Sequence, residues 1–432
     1  MTDPVVIVGM ALETPGDVDT PEAFWTLLTE QREALGPFPA DRGWSLNELF
    51  EGSRREGFAR IHNLGGFLSS AAEFDPEFFG ISPREAVAMD PQQRVALRLA
   101  WRAVENSGIN PDDLAGHDVG CYVGASALEY GPPMAEFSHH SGHLITGTSL
   151  GVISGRIAYL LDFAGPAVTV DTSCSSALAA FHTAVAALHS GDCDLALAGG
   201  VTVMGSPGYF VEFSKQHALS DDGHCRPYSA HASGTVWAEG AAMFLLQKRS
   251  RALVDGRAIL AEVSASVLNS DGRTTGLTAP SQAAQVRLFR RALDRAGLAP
   301  EQVDVIEGHG TGTRLGDRTE LRSLAATYGA AAPGTGAVLG SVKSNLGHTQ
   351  AAAGALGLAK VLVASAHGSI PPTLHVDDPS TEIDWESQGL RLADKLRPWP
   401  ATNGRRTAAV SAFGMSGTNT HLLVSMPEQA AS

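Results

Sequence analysis

The sequence predicts an α/β fold, and three observations carry that expectation. Short apolar runs rich in β-branched residues and bounded by Gly, Asp or Pro alternate with Ala/Leu-rich stretches of helical period, the pattern of sheets buried between helices. Several of the runs end in glycine-rich or polar turns, where α/β folds place their ligands. The chain has 432 residues, more than the roughly 250–300 that one hydrophobic core fills, so two packed units are expected. In chain order the strands are VVIVG at 5–9, VGCYVG at 119–124, AVTV at 167–170, DLALAGGVTV at 194–203, AILAEVSASV at 258–267, VDVIE at 303–307, AVLG at 337–340, TAAVSAF at 407–413 and THLLV at 420–424. Each is a β-branched or alternating run closed by a turn signal. Helices are expected at 91–107, 174–189, 281–296 and 351–366, where apolar residues recur at helical spacing. The opening VVIVGMALETPGD has a loose counterpart in AEVSASVLNSDGR, which suggests two related halves, 1–250 and 251–432. Segments 36–60 and 126–143 are rich in Gly, Pro, His and charge and read as surface excursions, and the polar tail beyond Met426 as a fraying end.

Composition narrows the function. Apolar residues make up 44% and charged ones 18%, which excludes disordered and fibrous chains. With 46 acidic against 31 basic side chains the net charge is −15, a field that repels nucleic acid and anionic lipid. Cys121, Cys174, Cys193 and Cys225 are widely spaced with no Cys-x-x-Cys pair, so neither a disulfide framework nor a zinc knuckle is expected. The N-terminus shows no signal-peptide pattern, and no apolar run approaches the ~18–20 residues of a membrane span. A cytoplasmic protein, with neither nucleic-acid nor membrane partners, is the expectation.

Four segments carry chemistry. In AVTVDTSCSSALAAF the strand gives way at Cys174 to an Ala-rich helix, and a cysteine at a helix N-terminus gains from the unpaired amides and the macrodipole, which favour thiolate and can face an oxyanion. The other three cysteines lack this setting and read as small buried hydrophobes. VIEGHGTGTRLGD puts His309 after a strand in a loop whose glycines admit a ligand and whose Thr311 and Thr313 offer hydroxyls. KSNLGHTQ puts His348 before an Ala-rich helix and Lys343 five residues upstream, a cation that would keep the imidazole neutral. The stretch from Arg405 to Val424 reads as two antiparallel strands, with Phe413 ending the first and a loop amide able to serve as a second oxyanion donor.

DTSCSSA at 171–177, EGHGTGT at 307–313, KSNLGH at 343–348 and FGMSGTNTH at 413–421, in this order, closely resemble the β-ketoacyl synthases. The resemblance spans essentially the whole chain. It leans toward ketosynthases of modular polyketide synthases, whose helical signature the stretch from Phe74 to Ile109 resembles. It implies a thiolase-like fold of two pseudo-symmetric halves in five layers, α-β-α-β-α, paired as a homodimer through a central strand. It makes Cys174 the acyl-accepting nucleophile, His309 and His348 the pair acting on a malonyl-type extender, Lys343 a supporting cation, and Phe413 the loop gate and amide donor. Thr311 and Thr313 match positions that bind the phosphopantetheine arm. No metal or bound cofactor is implied, because the acyl groups arrive on the phosphopantetheine of an acyl carrier protein. Ser173, Arg318 and Ala412 stand where the family often has Ala, Pro and Ser, which bears on the acyl preference.

The chain begins at its first strand and ends shortly after its last, so a stand-alone ketosynthase is expected, served by carriers in trans that a trans-acting acyltransferase supplies, as in siderophore assembly of mycobactin kind; an excised megasynthase domain is the alternative. The rival functions are a thiolase-like acyltransferase, which needs a second cysteine in the C-terminal loops, and a non-catalytic scaffold that docks carriers. An acidic carrier would meet the basic stretch with Arg54, Arg55 and Arg60. His139, His140 and His143 lie close together but have no carboxylate or cysteine at ligand spacing, so a loop is expected there.

Overall fold

The computed structural model describes residues 3–55, 57–138, 142–330 and 336–427. Its first half holds strands β1 (Val5–Glu13), β2 (Val119–Gly124), β3 (Ala167–Val170), β4 (Leu195–Thr202) and β5 (Gly240–Lys248), with helices α1 (Pro91–Asn106), α2 (Gly151–Leu160) and α3 (Ser176–Ser190). The second holds β6 (Ala261–Ser270), β7 (Val305–Glu307), β8 (Val338–Gly340), β9 (Arg391–Leu392), β10 (Arg405–Phe413) and β11 (Thr418–Pro427), with α4 (Gln282–Ala296), α5 (Arg314–Ala325) and α6 (Ala353–Ala366). Strand order is β9-β8-β7-β10-β11-β6-β1-β5-β4-β2-β3. Strands of the two halves stay on their own sides, joined only where β1 meets β6 at Val6↔Glu262 and Ile7↔Ala261.

The layering follows from which faces are apolar. α3 and α6 are apolar nearly all round, and α6 is buried from Ala353 to Ser365; such helices need cover on both sides. They pack on each other, with α3 also against β4 and β11 and α6 also against β5 and β10. α1 and α4 are amphipathic and cover the outer faces, α1 over β1 and β5, α4 over β6 and β11. The strands alternate accordingly: Ala196 and Ala198 of β4 face the central core while Leu195 and Leu197 face α1's layer, and Leu422 and Leu423 of β11 divide in the same way. The layers are therefore helix, sheet, helix pair, sheet, helix.

Nine expected strands and four expected helices have counterparts within a few residues. The central strand β5 was not expected. Its sequence, GAAMFLLQK, has no β-branched residue and shows helical composition, and tertiary burial overrides that local preference. Helices α2 and α5 were also not anticipated. His139 and His140 of the histidine cluster, and the tail from residue 428, lie outside the described residues.

The helix that follows Cys174 is set by close approach. A Cβ on Gly124, at the end of β2, would lie 2.3 Å from the backbone nitrogen of Ala177 in the first turn of α3. Gly124→Ala should lower the unfolding free energy by about 3 kcal/mol and displace the turn carrying Cys174; chemical denaturation of the two proteins checks it, and an unchanged midpoint would refute the constraint.

Candidate active site

Cys174 sits between β3 and α3, 9% exposed. The turn is built locally. Asp171 Oδ1 accepts from the Ser173 amide and the Ser126 hydroxyl, both at 2.9 Å, which holds Ser173 at φ +60°. Ser176 Oγ accepts from the Thr172 amide at 2.9 Å. The β10–β11 hairpin loop presses on this turn, with Ser416 Oγ donating to the Thr172 carbonyl at 3.0 Å. Only glycine fits at 414, because a Cβ there would lie 2.1 Å from that same carbonyl oxygen.

The loop amide that reaches the sulfur is not that of Phe413. The backbone N–H groups of Met415 and of Cys174 itself face Sγ. Phe413 contributes instead its ring, 5.3 Å from that of His309. The four-residue loop departs from β10 at Phe413 and carries the donor two residues on, a displacement that motif position alone does not reveal.

His309 follows β7, and its loop is pinned by two carboxylates of α5. Glu320 accepts from the amides of His309 (2.7 Å) and Gly310 (2.8 Å), and Asp317 Oδ1 from those of Thr311 and Gly312, both at 3.1 Å. Tyr228 completes the clamp, its amide donating to Asp317 at 2.8 Å and its hydroxyl to Glu320 at 2.9 Å. Asp317 and Glu320 are three apart and so share one helix face. That spacing, directly after a glycine loop, was the signal that could have found them. Arg318, the neighbouring departure from the family pattern, points away and pairs with Glu382 at 3.1 Å.

His348 is 2% exposed, tied through its backbone to Val236 and Ala238. Its Nδ1 accepts from the Gln350 amide at 3.1 Å, so in the neutral ring the proton sits on Nε2. The rings of His309 and His348 are 5.4 Å apart and nearly perpendicular. His309 Nδ1 is buried with no partner among the described residues. Trp237, which sequence reasoning missed, packs on His348 at 5.0 Å. Cys174, His309, His348, Thr311, Thr313 and Phe413 line one pocket of about 200 Å³, together with Trp237 and Met415. Lys343 lies behind it, 3% exposed.

Electrostatics sets the resting protonation. Burial, then the Lys343 charge, hold His348 well below the usual imidazole range, and the same causes plus His348 itself act on His309. Both are neutral. Burial pushes the Cys174 thiol up to about 11, against the opposing pull of Lys343 and the two amides. The thiolate expected from the helix terminus is therefore not the resting form: desolvation outweighs the dipole. Lys343 is lowered by burial and supported by Glu307, Cys225, Glu320 and Cys174. Because thiolate is the reactive form, the alkylation rate of Cys174 in the free protein should keep rising tenfold per pH unit to pH 9 and beyond; a plateau below pH 8, read by mass spectrometry of the labelled peptide, would contradict the shift.

The chain matches the family models described as β-ketoacyl synthase, N-terminal domain, over residues 2–252, and β-ketoacyl synthase, C-terminal domain, over residues 260–377. Polyketide synthase GfsB of Streptomyces halstedii is 50% identical over 431 residues, 99% of this chain and 8% of that protein. Mycoketide-CoA synthase of Mycobacterium tuberculosis is 49% identical over 428 residues, 98% of this chain and 10% of that protein. The chain spans between 6% and 20% of the length of the curated relatives it matches. Among solved structures, the ketosynthase from module 6 of the bacillaene synthase of Bacillus subtilis 168 superposes with a TM-score of 0.89 at 35% identity, covering 99% of this chain and 73% of that one. The oxazolomycin ketosynthase domain OzmH KS7 of Streptomyces albus JA3453 gives 0.90 at 35% identity, over 100% and 75%. With both family models matched along one chain and its layers superposed on solved ketosynthase domains, the chain belongs to the β-ketoacyl synthase family and has its thiolase-like fold.

Proposed function

We propose that this pocket catalyses the decarboxylative Claisen condensation of polyketide biosynthesis, an acyltransferase reaction. The observation that carries it is the single pocket lined by a cysteine and two neutral histidines. Cys174 Sγ attacks an acyl thioester, the bond to the carrier's pantetheine sulfur breaks, and the thiol proton ends on the departing sulfur. A malonyl-type thioester then enters along Thr311 and Thr313, whose hydroxyls lie 2.9 Å apart at the pocket wall. Its C–C bond to the carboxylate breaks, carbon dioxide leaves, and the enolate oxygen takes hydrogen bonds from His348 Nε2–H and from His309. The enolate carbon attacks the Cys174 thioester, and the tetrahedral oxyanion rests on the amides of Cys174 and Met415. Collapse breaks the C–S bond, frees a β-ketoacyl product and releases the Cys174 sulfur as a thiolate, which takes a proton from water to restore the resting thiol.

Lys343 adds to burial in keeping both imidazoles neutral, and the Phe413 ring, against His309 and Phe289, acts as the gate. Residues 1–250 contribute the nucleophile and 251–432 the histidines. A thiolase-like reaction lacks its second thiol: Cys174 is the one cysteine lining this pocket among the described residues, and Cys225 is fully buried with its sulfur on the Thr311 carbonyl at 3.3 Å. The acyl groups come from carrier proteins, acting in trans when a separate acyltransferase loads them. The exposed stretch with Arg54, Arg55 and Arg60 suits an acidic carrier, because Ala59 is bonded to Ser214 on the helix whose Phe213 lines the pocket. A cytoplasmic homodimer fits the outer edge of β3, which ends the sheet with Val168 exposed. No helix among the described residues is long and apolar enough to cross a membrane. The names of the relatives favour polyketide rather than siderophore assembly.

Incubation with acyl thioesters followed by intact-mass measurement should give an adduct on the wild type and none on Cys174→Ala; equal masses in both, or no adduct from any donor, would favour a docking scaffold. The amide assignment has its own test. Met415→Pro removes the donor while Met415→Ala keeps it, so Pro should cost about 10²–10³ in condensation rate and Ala little; equal losses would return the role to another group.

A further inference from the structure

We propose that Glu33, His224 and His375 form a binding site for a divalent transition-metal ion, zinc by its donor set. The three lie outside the catalytic pocket. Glu33 Oε2 is 2.7 Å from His224 Nδ1, and Glu33 Oε1 is 3.2 Å from His375 Nε2. One ligand atom from each residue falls within 4.8 Å of the others, and the two rings stand 5.2 Å apart at 50°. Two imidazoles and one carboxylate are a common donor set for zinc, with water in the fourth position, whereas calcium and magnesium take oxygen. Ligand atoms around a tetrahedral zinc at about 2.0–2.1 Å are about 3.3 Å apart, so a trio that already lies within 4.8 Å closes on the ion by side-chain adjustments of about 1.5 Å or less. The side chains are 33%, 19% and 23% exposed at His224, Glu33 and His375, open enough for an ion to enter. The nearby guanidinium of Arg226 is committed to Asp222 at 2.6 Å and leaves the Glu33 charge to the site.

The backbone beside each ligand is held in place by the catalytic loops. Ala34 N donates to Asn345 O at 2.6 Å and Asn345 Nδ2 to Arg32 O at 3.0 Å, on either side of Glu33. Leu374 N donates to Ser344 Oγ at 2.9 Å beside His375, and Cys225, next to His224, reaches the Thr311 carbonyl. The ion would thus clamp three distant segments around the turn that carries Lys343 and His348. Its role is structural, and no chemical step of the condensation passes through it. Sequence spacing could not show it, because His224 and His375 lie 191 and 342 positions from Glu33.

The test uses the full chain, without an affinity tag, on the Cys174→Ala background, so that a metal held by the catalytic thiol and histidines is not counted. After chelator treatment, incubation with zinc chloride and desalting, elemental analysis should find about one zinc per chain, and cobalt(II) should give a visible tetrahedral absorption band. Glu33→Gln, His224→Gln and His375→Gln, added singly, should each abolish both signals, while saturating zinc should raise the unfolding midpoint of the parent by several degrees and leave that of the triad variants unmoved. Folding of each variant is checked by its metal-free circular dichroism, and any one that fails is set aside for the other two. Absence of stoichiometric zinc in the parent, or equal zinc in parent and folded variants, overturns the proposal and leaves a hydrogen-bonded His–Glu–His tie.

Discussion

Four consecutive backbone N–H groups, His309 to Gly312, are satisfied by two carboxylates on one face of α5, and the placing of His309 in the pocket depends on that arrangement. An orphaned buried amide costs about 1–3 kcal/mol, so a glycine loop cannot be carried this far into the protein without acceptors. Carboxylates have the lone pairs for several donors at once. Burying two of them side by side is itself unfavourable: Asp317 is pushed up to about 7 by burial and by Glu320, and Glu320 is raised by burial. Lys343 offsets part of this, since its charge lowers Glu320 while Glu320 and Glu307 sustain the ammonium. Glu307 in turn holds the Val342 amide at 2.6 Å and Lys360 at 2.7 Å. The loops that carry the two histidines are therefore one buried charge network rather than two independent turns.

Burial comes first in keeping the imidazoles neutral and the thiol protonated, and the Lys343 charge reinforces the first effect while opposing the second. A buried cation disfavours a second positive charge nearby and favours a negative one, so Lys343 acts on the histidines and on Cys174 in the directions the proposed chemistry needs. Its pull on the thiol is smaller than the desolvation that opposes it. Cys174 rests uncharged and has only a minor thiolate fraction, a state in which a buried cysteine is protected from oxidation and stray electrophiles.

What the sequence made legible divides along physical lines. Residues whose chemistry needs a particular atom at a chain-local junction, Cys174 after a strand and His309 in its glycine loop, stand out in the sequence, and they meet in one pocket. Residues that act through geometry across the chain were not. Met415 donates through a backbone amide, so its side chain carries no signal, and Phe413 stood in for it. Trp237 reaches His348 through a bridge between loops distant in sequence. β5 eluded periodicity because a strand covered on both faces needs apolarity but not alternation, and GAAMFLLQK satisfies that with helix-favouring residues. The thiolate expectation failed for a related reason: a helix terminus is visible in sequence, but the depth of burial that overrides it is not.

The division of labour between the halves has a structural consequence. Cys174 stands at the start of α3 and the histidines on loops of the second half, so the pocket exists only where the two sheets trap α3 and α6 between them. The hairpin loop completes this dependence. It leaves β10 in the second half and lands on the Thr172 carbonyl in the first, through Ser416 and the close approach of Gly414. A shift of either sheet by a fraction of an ångström would move the Met415 amide off Sγ before it broke any core contact, because hydrogen bonds to a fixed acceptor tolerate less displacement than apolar packing does. The tight packing of small residues along α3 and α6 thus has a second role beyond stability: it fixes the distance between the Cys174 sulfur and the groups of the opposite half that face it.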